Sequence, residues 1–147
     1  MPEKQTLKRA AKDKREGKAP TTQAGEFIRE EVHHLREGKH GARSTKQAIA
    51  IGLSKARRAG VKLAAPKRGS ARVKQQAKRD TQRAQRGEHA VSPRRSKAST
   101  RALQHESRSA ATPKALSRQG SQAAQQRSAK SRKAAAKKAA WTRARHS

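Results

Sequence analysis

Large apolar side chains are scarce in this chain and are concentrated in one stretch. Leu, Ile, Val and Phe together number 14 among 147 residues, and nine of the 14 lie between residues 27 and 63. A globular domain contains many more, because each buried side chain contributes only roughly 1.5–3 kcal/mol against the entropy lost on ordering the chain. We therefore expect one small core within residues 21–65 and extensive disorder elsewhere, in a fold that is otherwise mostly α.

The first half of that stretch has the pattern of an amphipathic helix over about residues 22–37. Its apolar residues are spaced by four, four and three positions, which places them on one helix face. These residues are Ala24, Ile28, Val32 and Leu35, with Phe27 beside them. Gly38 is the predicted end of this helix.

A second helix is predicted over about residues 44–59. Ser44 and Gln47 have the spacing of a capping box, and Gly60 suits a left-handed cap at the other end. The two helices form a small helical hairpin, preceded by a charged, partly helical segment over residues 1–20. Because so few apolar side chains barely offset the ordering of the hairpin, a homodimer through it or a bound polyanion is expected to complete the fold.

Positive charge dominates the rest of the chain, residues 66–147. The whole sequence has 39 Lys and Arg against 10 Asp and Glu, a formal charge of +29, and residues 64–147 alone hold 23 Lys and Arg against three acids. This basic low-complexity tail is predicted to be disordered or nascently helical. Since cations that neutralise phosphates release bound counterions, DNA is the expected partner and RNA a possible one.

Several other classes of protein are excluded by what the sequence lacks. The chain has no cysteine, hence no disulfide framework or thiolate zinc site, and it has no apolar run of the length needed for a signal or a membrane span. We expect a cytoplasmic protein of the bacterial nucleoid with no membrane partner. No nucleophile and base or paired carboxylates stand on a scaffold large enough for a dry pocket, so neither an enzyme nor a cofactor is expected.

The predicted contacts to nucleic acid are Lys and Arg side chains in three regions: residues 39–62, residues 94–97 and residues 130–145. Residues 38–45 combine glycines, cations and a helix start, as a phosphate cradle does, although an ordinary connection between helices explains them more simply. Two Ser/Thr-Pro steps, at residues 92–93 and 112–113, precede further cations. The predicted contact residues are Lys39, Arg43, Lys46, Lys55, Arg57, Arg58, Lys62, Arg94, Arg95, Lys97, Lys130, Arg132, Lys133, Lys137, Lys138, Arg143 and Arg145.

Histidines next to glutamates raise the question of a metal site. Residues 30–34, EEVHH, contain Glu-x-x-His twice, and His33, His34 and His40 supply three imidazoles. Di-iron bundles need such motifs on two helices with further carboxylates, whereas this chain has one. A solvated helix face is therefore the preferred interpretation, and no metal ligand is predicted.

Residues 46–60, KQAIAIGLSKARRAG, resemble the KQAIAIALSEARKAG core of a small bacterial family of uncharacterised proteins. Residues 32–39 are similar to the His-Glu-Phe-Lys-x-Gly preamble of that family. Gly52 and Lys55 stand where the family usually has Ala and Glu. Residues 130–140 resemble the Lys/Ala-rich tails of linker histones and bacterial histone-like proteins. The resemblance of residues 46–60 to the small bacterial family implies DNA binding, because basic members of that family are presumed to bind DNA.

These observations predict a non-enzymatic, largely sequence-independent DNA-binding protein of the histone-like, nucleoid or stress-associated type. The hairpin would be its anchor and the tail its polycation. Two alternatives use the same features differently. One is a basic protein associated with RNA or the ribosome, and the other is a protein-interaction hairpin whose tail only localises it.

Overall fold

The structure is a computed structural model that describes residues 1–87 and 92–145, and these ranges contain helices and no strand. The predicted mostly α fold is therefore confirmed. None of the helices in these ranges has the length and apolar content needed to span a bilayer. In chain order the helices are α1 (Lys4–Arg15), α2 (Pro20–Arg36), α3 (Thr45–Arg58), α4 (Ala71–Gln85), α5 (Pro93–Gln104), a 3₁₀ turn (Ser109–Ala111), α6 (Pro113–Gln125) and α7 (Ala129–Arg145).

Helices α2 and α3 lie where the two hairpin helices were predicted, and they pack against each other. The Gln47 amide donates to Ser44 Oγ at 3.2 Å, which is the predicted N-terminal cap of α3. Gly38 ends α2 with a φ of 74° and Gly60 follows α3 with a φ of 90°, conformations that favour glycine. Gly52 lies against the Ile28 backbone, so its missing Cβ lets the two helices approach closely.

The apolar core is small, rich in alanine and divided into two clusters. One cluster contains Phe27 and the other contains Leu35 as its largest buried side chain. Ala24 and Ala56 lie in the Phe27 cluster and Ala48 in the Leu35 cluster, so α2 and α3 run antiparallel. Small side chains permit close helix packing, which is how a chain with few large apolar residues still forms a core.

Helix α1 packs along α2 and extends the hairpin to three helices. Arg9 Nε donates to Glu26 Oε2 at 2.6 Å, and Ala10 lies in the Phe27 cluster. Thr6 is fully buried. The segment expected to be a charged, partly helical lead thus forms a complete helix with a buried face.

The prediction of extensive disorder is wrong for the described residues. Helix α4 packs on α3, where Ser54 Oγ donates to Asp80 at 2.5 Å. The segment 107–112 also packs on the hairpin, because Ala110 and Ala111 are buried beside Leu35. The first compact unit consequently reaches Thr112 rather than ending at residue 65. Sequence patterns missed this because the buried side chains are alanines and a single Asp, which do not form an apolar stripe.

The second compact unit comprises residues 113–147 and contains α6 and α7. These segments are helical because Ala, Lys, Arg and Gln have high intrinsic helix propensity. The residues of α7 are exposed along its whole length. Residues 88–91 and 146–147 of the predicted tail lie outside the described residues.

Candidate functional site

Two glutamates of α2 and one lysine of α3 form a charged layer between the two apolar clusters. Glu30 is 3% exposed and Glu31 is fully buried. Lys55 Nζ donates to Glu30 Oε1 at 2.9 Å and forms an ion pair with Glu31 Oε1. The Glu3 amide donates to Glu30 Oε2 at 3.0 Å. The interface between α2 and α3 is therefore held by charge as well as by apolar contact.

The surroundings of these groups keep Glu30 and Lys55 ionised. Burial alone would raise the pKa of Glu30, but the Glu3 amide and the Lys55 ammonium outweigh it and hold that pKa below its ordinary value. Burial would likewise lower the pKa of Lys55, yet the carboxylates of Glu31 and Glu30 raise it above its ordinary value. Lys55 is thus held by internal carboxylates and is not presented to an external anion.

Two imidazoles approach the carboxylate of Glu31. His34 Nδ1 is 4.0 Å from Glu31 Oε1, and His40 Nε2 is 3.4 Å from Glu31 Oε2. The two rings are nearly perpendicular, with centroids 5.8 Å apart. Both histidine side chains are 13% exposed, whereas His33 is exposed. The expected solvated face is therefore wrong for Glu30, Glu31, His34 and His40, and it fits His33 alone.

The outer nitrogen of each imidazole has a fixed acceptor. His34 Nε2 lies 2.9 Å from Glu3 Oε1, and His40 Nδ1 lies 3.1 Å from the Gly41 carbonyl oxygen. A carboxylate and a carbonyl only accept, so each outer nitrogen donates in the tautomer that places the ring proton on it. In that tautomer the inner nitrogen of each ring faces Glu31 with its lone pair.

The glycine loop before α3 is filled by another part of the chain. The Gly41 amide donates to the Leu103 carbonyl at 2.8 Å, and the Ala42 amide donates to the Ser107 carbonyl at 2.9 Å. A Cβ at Gly41 would overlap the Glu106 carbonyl, so only glycine allows this approach. The Gly41 and Ala42 amides of the proposed phosphate cradle are thus satisfied internally, as the simpler interpretation as a helix connection expects.

Most of the hairpin cations predicted to contact nucleic acid are engaged within the chain. Lys39 pairs with Glu3 and Glu37. Arg57 is 8% exposed and donates to a backbone carbonyl. Ion pairs also hold Lys55 and Arg58, whereas Arg43, whose side chain is 83% exposed, lies 3.9 Å from Glu106. The side chains of Lys46 and Lys62 are exposed.

Every acidic residue that the structure describes forms an ion pair within the first unit. The Lys and Arg partners are Arg9, Lys12, Lys18, Arg29, Lys39, Arg43, Lys55 and Arg58. With 39 Lys and Arg against 10 acids, the chain retains a large excess of cations after this neutralisation. The described acidic side chains are therefore all paired with Lys, Arg or His side chains of the first unit.

The predicted contacts on α7 lie in a different environment. Residues 113–147 contain ten Lys and Arg and no acid. Helical spacing places Lys130, Lys133, Lys137 and Trp141 on one face of α7. Trp141 is 59% exposed, and the Arg145 guanidinium lies 4.5 Å from its ring centroid. The seven predicted contacts of this helix, Lys130, Arg132, Lys133, Lys137, Lys138, Arg143 and Arg145, are all exposed.

A further group of cations lies at the end of α4 and the start of α5. Arg94, Arg95 and Lys97 are exposed, as a contact role requires. Arg95 also lines an open cleft of about 400 Å³ together with Arg79 and Arg83 of α4 and Arg86, the residue that follows α4. These three arginines were not predicted as contacts. Their spacing of four and three residues on one helix face is the sequence signal that identifies them.

Comparison with known proteins is informative for the N-terminal part of the chain. No curated protein and no solved structure matches the chain. A family model does match residues 5–68, a range that includes most of α1 and all of α2 and α3. It therefore covers Glu30, Glu31 and Lys55 of the charged layer and leaves out α4 to α7. Residues 5–68 are similar to a family of unknown function (DUF6496), in agreement with the predicted resemblance to a small uncharacterised family.

Proposed function

We propose that this protein binds DNA without sequence specificity and without catalysis. The proposal rests on the unequal distribution of acidic residues between the first unit and residues 113–147. The first unit pairs each of its described acids with its own cations, while residues 113–147 have ten cations and no acid. The strongest attraction for a polyanion is therefore expected from α7.

The geometry of α7 supports contacts to the phosphate backbone. A helix of 17 residues is about 25 Å long, which is about the length of seven base pairs. Its cations lie on more than one face, so lysines and arginines can reach phosphates on both sides of a groove. Phosphate contacts carry no sequence information by themselves, which is why we propose sequence-independent binding.

The cleft lined by Arg79, Arg83, Arg86 and Arg95 is a second place where phosphates would bind. Guanidinium groups bind phosphate oxygens in a bidentate manner, and four of them line one open surface. Lys46 and Lys62 are exposed and add to the field of the first unit. We place these contacts second to α7 because the first unit also contains the acids.

RNA is the alternative that a specific observation favours. Trp141 is 59% exposed on the cationic face of α7, and unpaired bases stack on aromatic rings. Duplex DNA remains the first proposal, because the chain has one Trp, one Phe and no Tyr, too few for a stacking surface.

Binding of the full chain to random duplex DNA and to single-stranded RNA at 50 and 200 mM salt tests the proposal. We expect duplex binding to weaken by about 10³-fold or more over this range, since six or more phosphate contacts release counterions. Nearly constant duplex affinity would contradict the proposal. Tighter binding to single-stranded RNA that is lost in Trp141→Ala would favour the alternative.

A further inference from the structure

We propose that Glu31, His34 and His40 bind a divalent first-row transition metal ion, for which Zn²⁺ is the probe. One carboxylate oxygen and one nitrogen from each imidazole all lie within 4.8 Å of one another. Two imidazoles and one carboxylate are a ligand set that binds zinc or non-haem iron and leaves a position open. This inference is independent of the nucleic-acid function.

The distances fit a single ion after a small closure of the site. Ligands bound tetrahedrally at about 2.0–2.1 Å are about 3.3 Å apart. His40 Nε2 and Glu31 Oε2 are already 3.4 Å apart. His34 Nδ1 lies 4.0 Å from the other oxygen of Glu31, so a shift of its ring completes the set.

The orientation of the two imidazoles is a second, independent observation. Metal-binding histidines usually donate their outer N–H to a carboxylate or a backbone carbonyl, which fixes the ring. His34 has this relationship with Glu3 at 2.9 Å, and His40 has it with the Gly41 carbonyl at 3.1 Å. Both inner nitrogens are thereby aimed at Glu31.

Burial of the carboxylate strengthens the case. Glu31 is fully buried, and its Oε2 accepts no hydrogen bond from the residues that the structure describes. Lys55 forms its ion pair with the other oxygen, Oε1. A cation on Oε2 would therefore satisfy an oxygen that is otherwise paired with no donor, while Lys55 keeps its place.

The competing explanation is that Lys55 and a protonated histidine neutralise Glu31 without any metal. Such a network would make the same close contacts between His40 and Glu31. It would give no stoichiometric uptake of Zn²⁺ and no dependence of metal affinity on His34 or His40. Metal titration therefore separates the two explanations.

The test is equilibrium dialysis and calorimetric titration of the full chain with Zn²⁺, without nucleic acid. We expect one equivalent to bind and the melting temperature to rise. His34→Ala and His40→Ala should each weaken binding by at least about tenfold, because loss of an outer hydrogen-bond partner alone already costs about that much. His33→Ala is the matched control, because His33 is adjacent and exposed, and it should bind as the wild type does.

Two further measurements test the proposal even if circular dichroism shows that an alanine variant has lost helicity. His34→Gln and His40→Gln retain a polar side chain of similar length and should also lose affinity. Co²⁺ bound to the wild-type chain should show the absorption bands of a tetrahedral site. Failure of the wild type to take up one equivalent, or equal losses in His33→Ala and His34→Ala, would overturn the proposal.

Discussion

Lys55 of α3 forms an ion pair with Glu31 of α2, which is fully buried. The same ammonium donates to Glu30 at 2.9 Å, so one cation serves two carboxylates in the interface between the helices. Buried charges are costly unless they are paired, and here the pairing depends on a single side chain. The stability of the first unit is therefore expected to depend on Lys55 more than on any exposed lysine.

Replacement of Lys55 by methionine should destabilise the first unit severely. The variant leaves Glu30 and Glu31 without their cation, and removal of one partner of a buried pair costs about 3–5 kcal/mol. Urea denaturation followed by circular dichroism measures the change in the free energy of unfolding. Lys46→Met, at an exposed position of the same helix, should change it by less than about 0.5 kcal/mol. Equal effects of the two substitutions would refute the structural role of Lys55.

Two glycines within helices should respond oppositely to replacement by alanine. A Cβ on Gly52 would lie 2.9 Å from the Ile28 Cα, whereas a Cβ on Gly25 would meet nothing within 4 Å. Gly25→Ala should stabilise the protein by up to about 1 kcal/mol through helix propensity. Gly52→Ala should destabilise it, because overpacking costs about 1–3 kcal/mol. Thermal unfolding of both variants tests this, and stabilisation by Gly52→Ala would contradict the close helix contact.

Docking of residues 103–112 on the hairpin should depend on Gly41. A side chain there would overlap the Glu106 carbonyl and break the bond from the Gly41 amide to the Leu103 carbonyl. We expect Gly41→Val to expose residues 103–112 to limited proteolysis while α2 and α3 remain protected. Gly120→Val in α6, where a Cβ meets nothing within 4 Å, is the control. Unchanged cleavage in Gly41→Val would show that this docking is not maintained in solution.

The hairpin was predictable from the sequence because its signals are local. The spacing of apolar residues, the Ser44 cap and the glycines that follow each helix all act within one helix or its ends. The segment 107–112 was not predictable in this way. It packs through Ala110 and Ala111, and alanines are so common in the basic tail that their pattern does not indicate burial.

The charged layer was missed because the predicted stripe of α2 followed the large apolar residues Ile28 and Val32. In the structure Phe27, Glu31 and Leu35 are fully buried, while Ile28 and Val32 are half-buried. A glutamate counts as polar in any pattern, and its partner Lys55 is on another helix. The same applies to two ion pairs of the loop, Lys39 with Glu3 and Arg43 with Glu106, because the two partners of each pair are distant in sequence. The cations of α7 that were predicted to contact nucleic acid are exposed, and that segment has no acid with which they could pair.

The most direct test of the central claim compares charge removal on α7 with equal charge removal on α1. One variant carries Lys133→Gln, Lys137→Gln and Lys138→Gln, and the matched control carries Lys4→Gln, Lys8→Gln and Lys14→Gln, all at exposed positions. The plot of log affinity against log salt for random duplex DNA should lose about 2–3 units of slope in the α7 variant, and much less in the α1 variant. Equal slopes for the two variants would contradict the claim that α7 is the principal DNA-binding element.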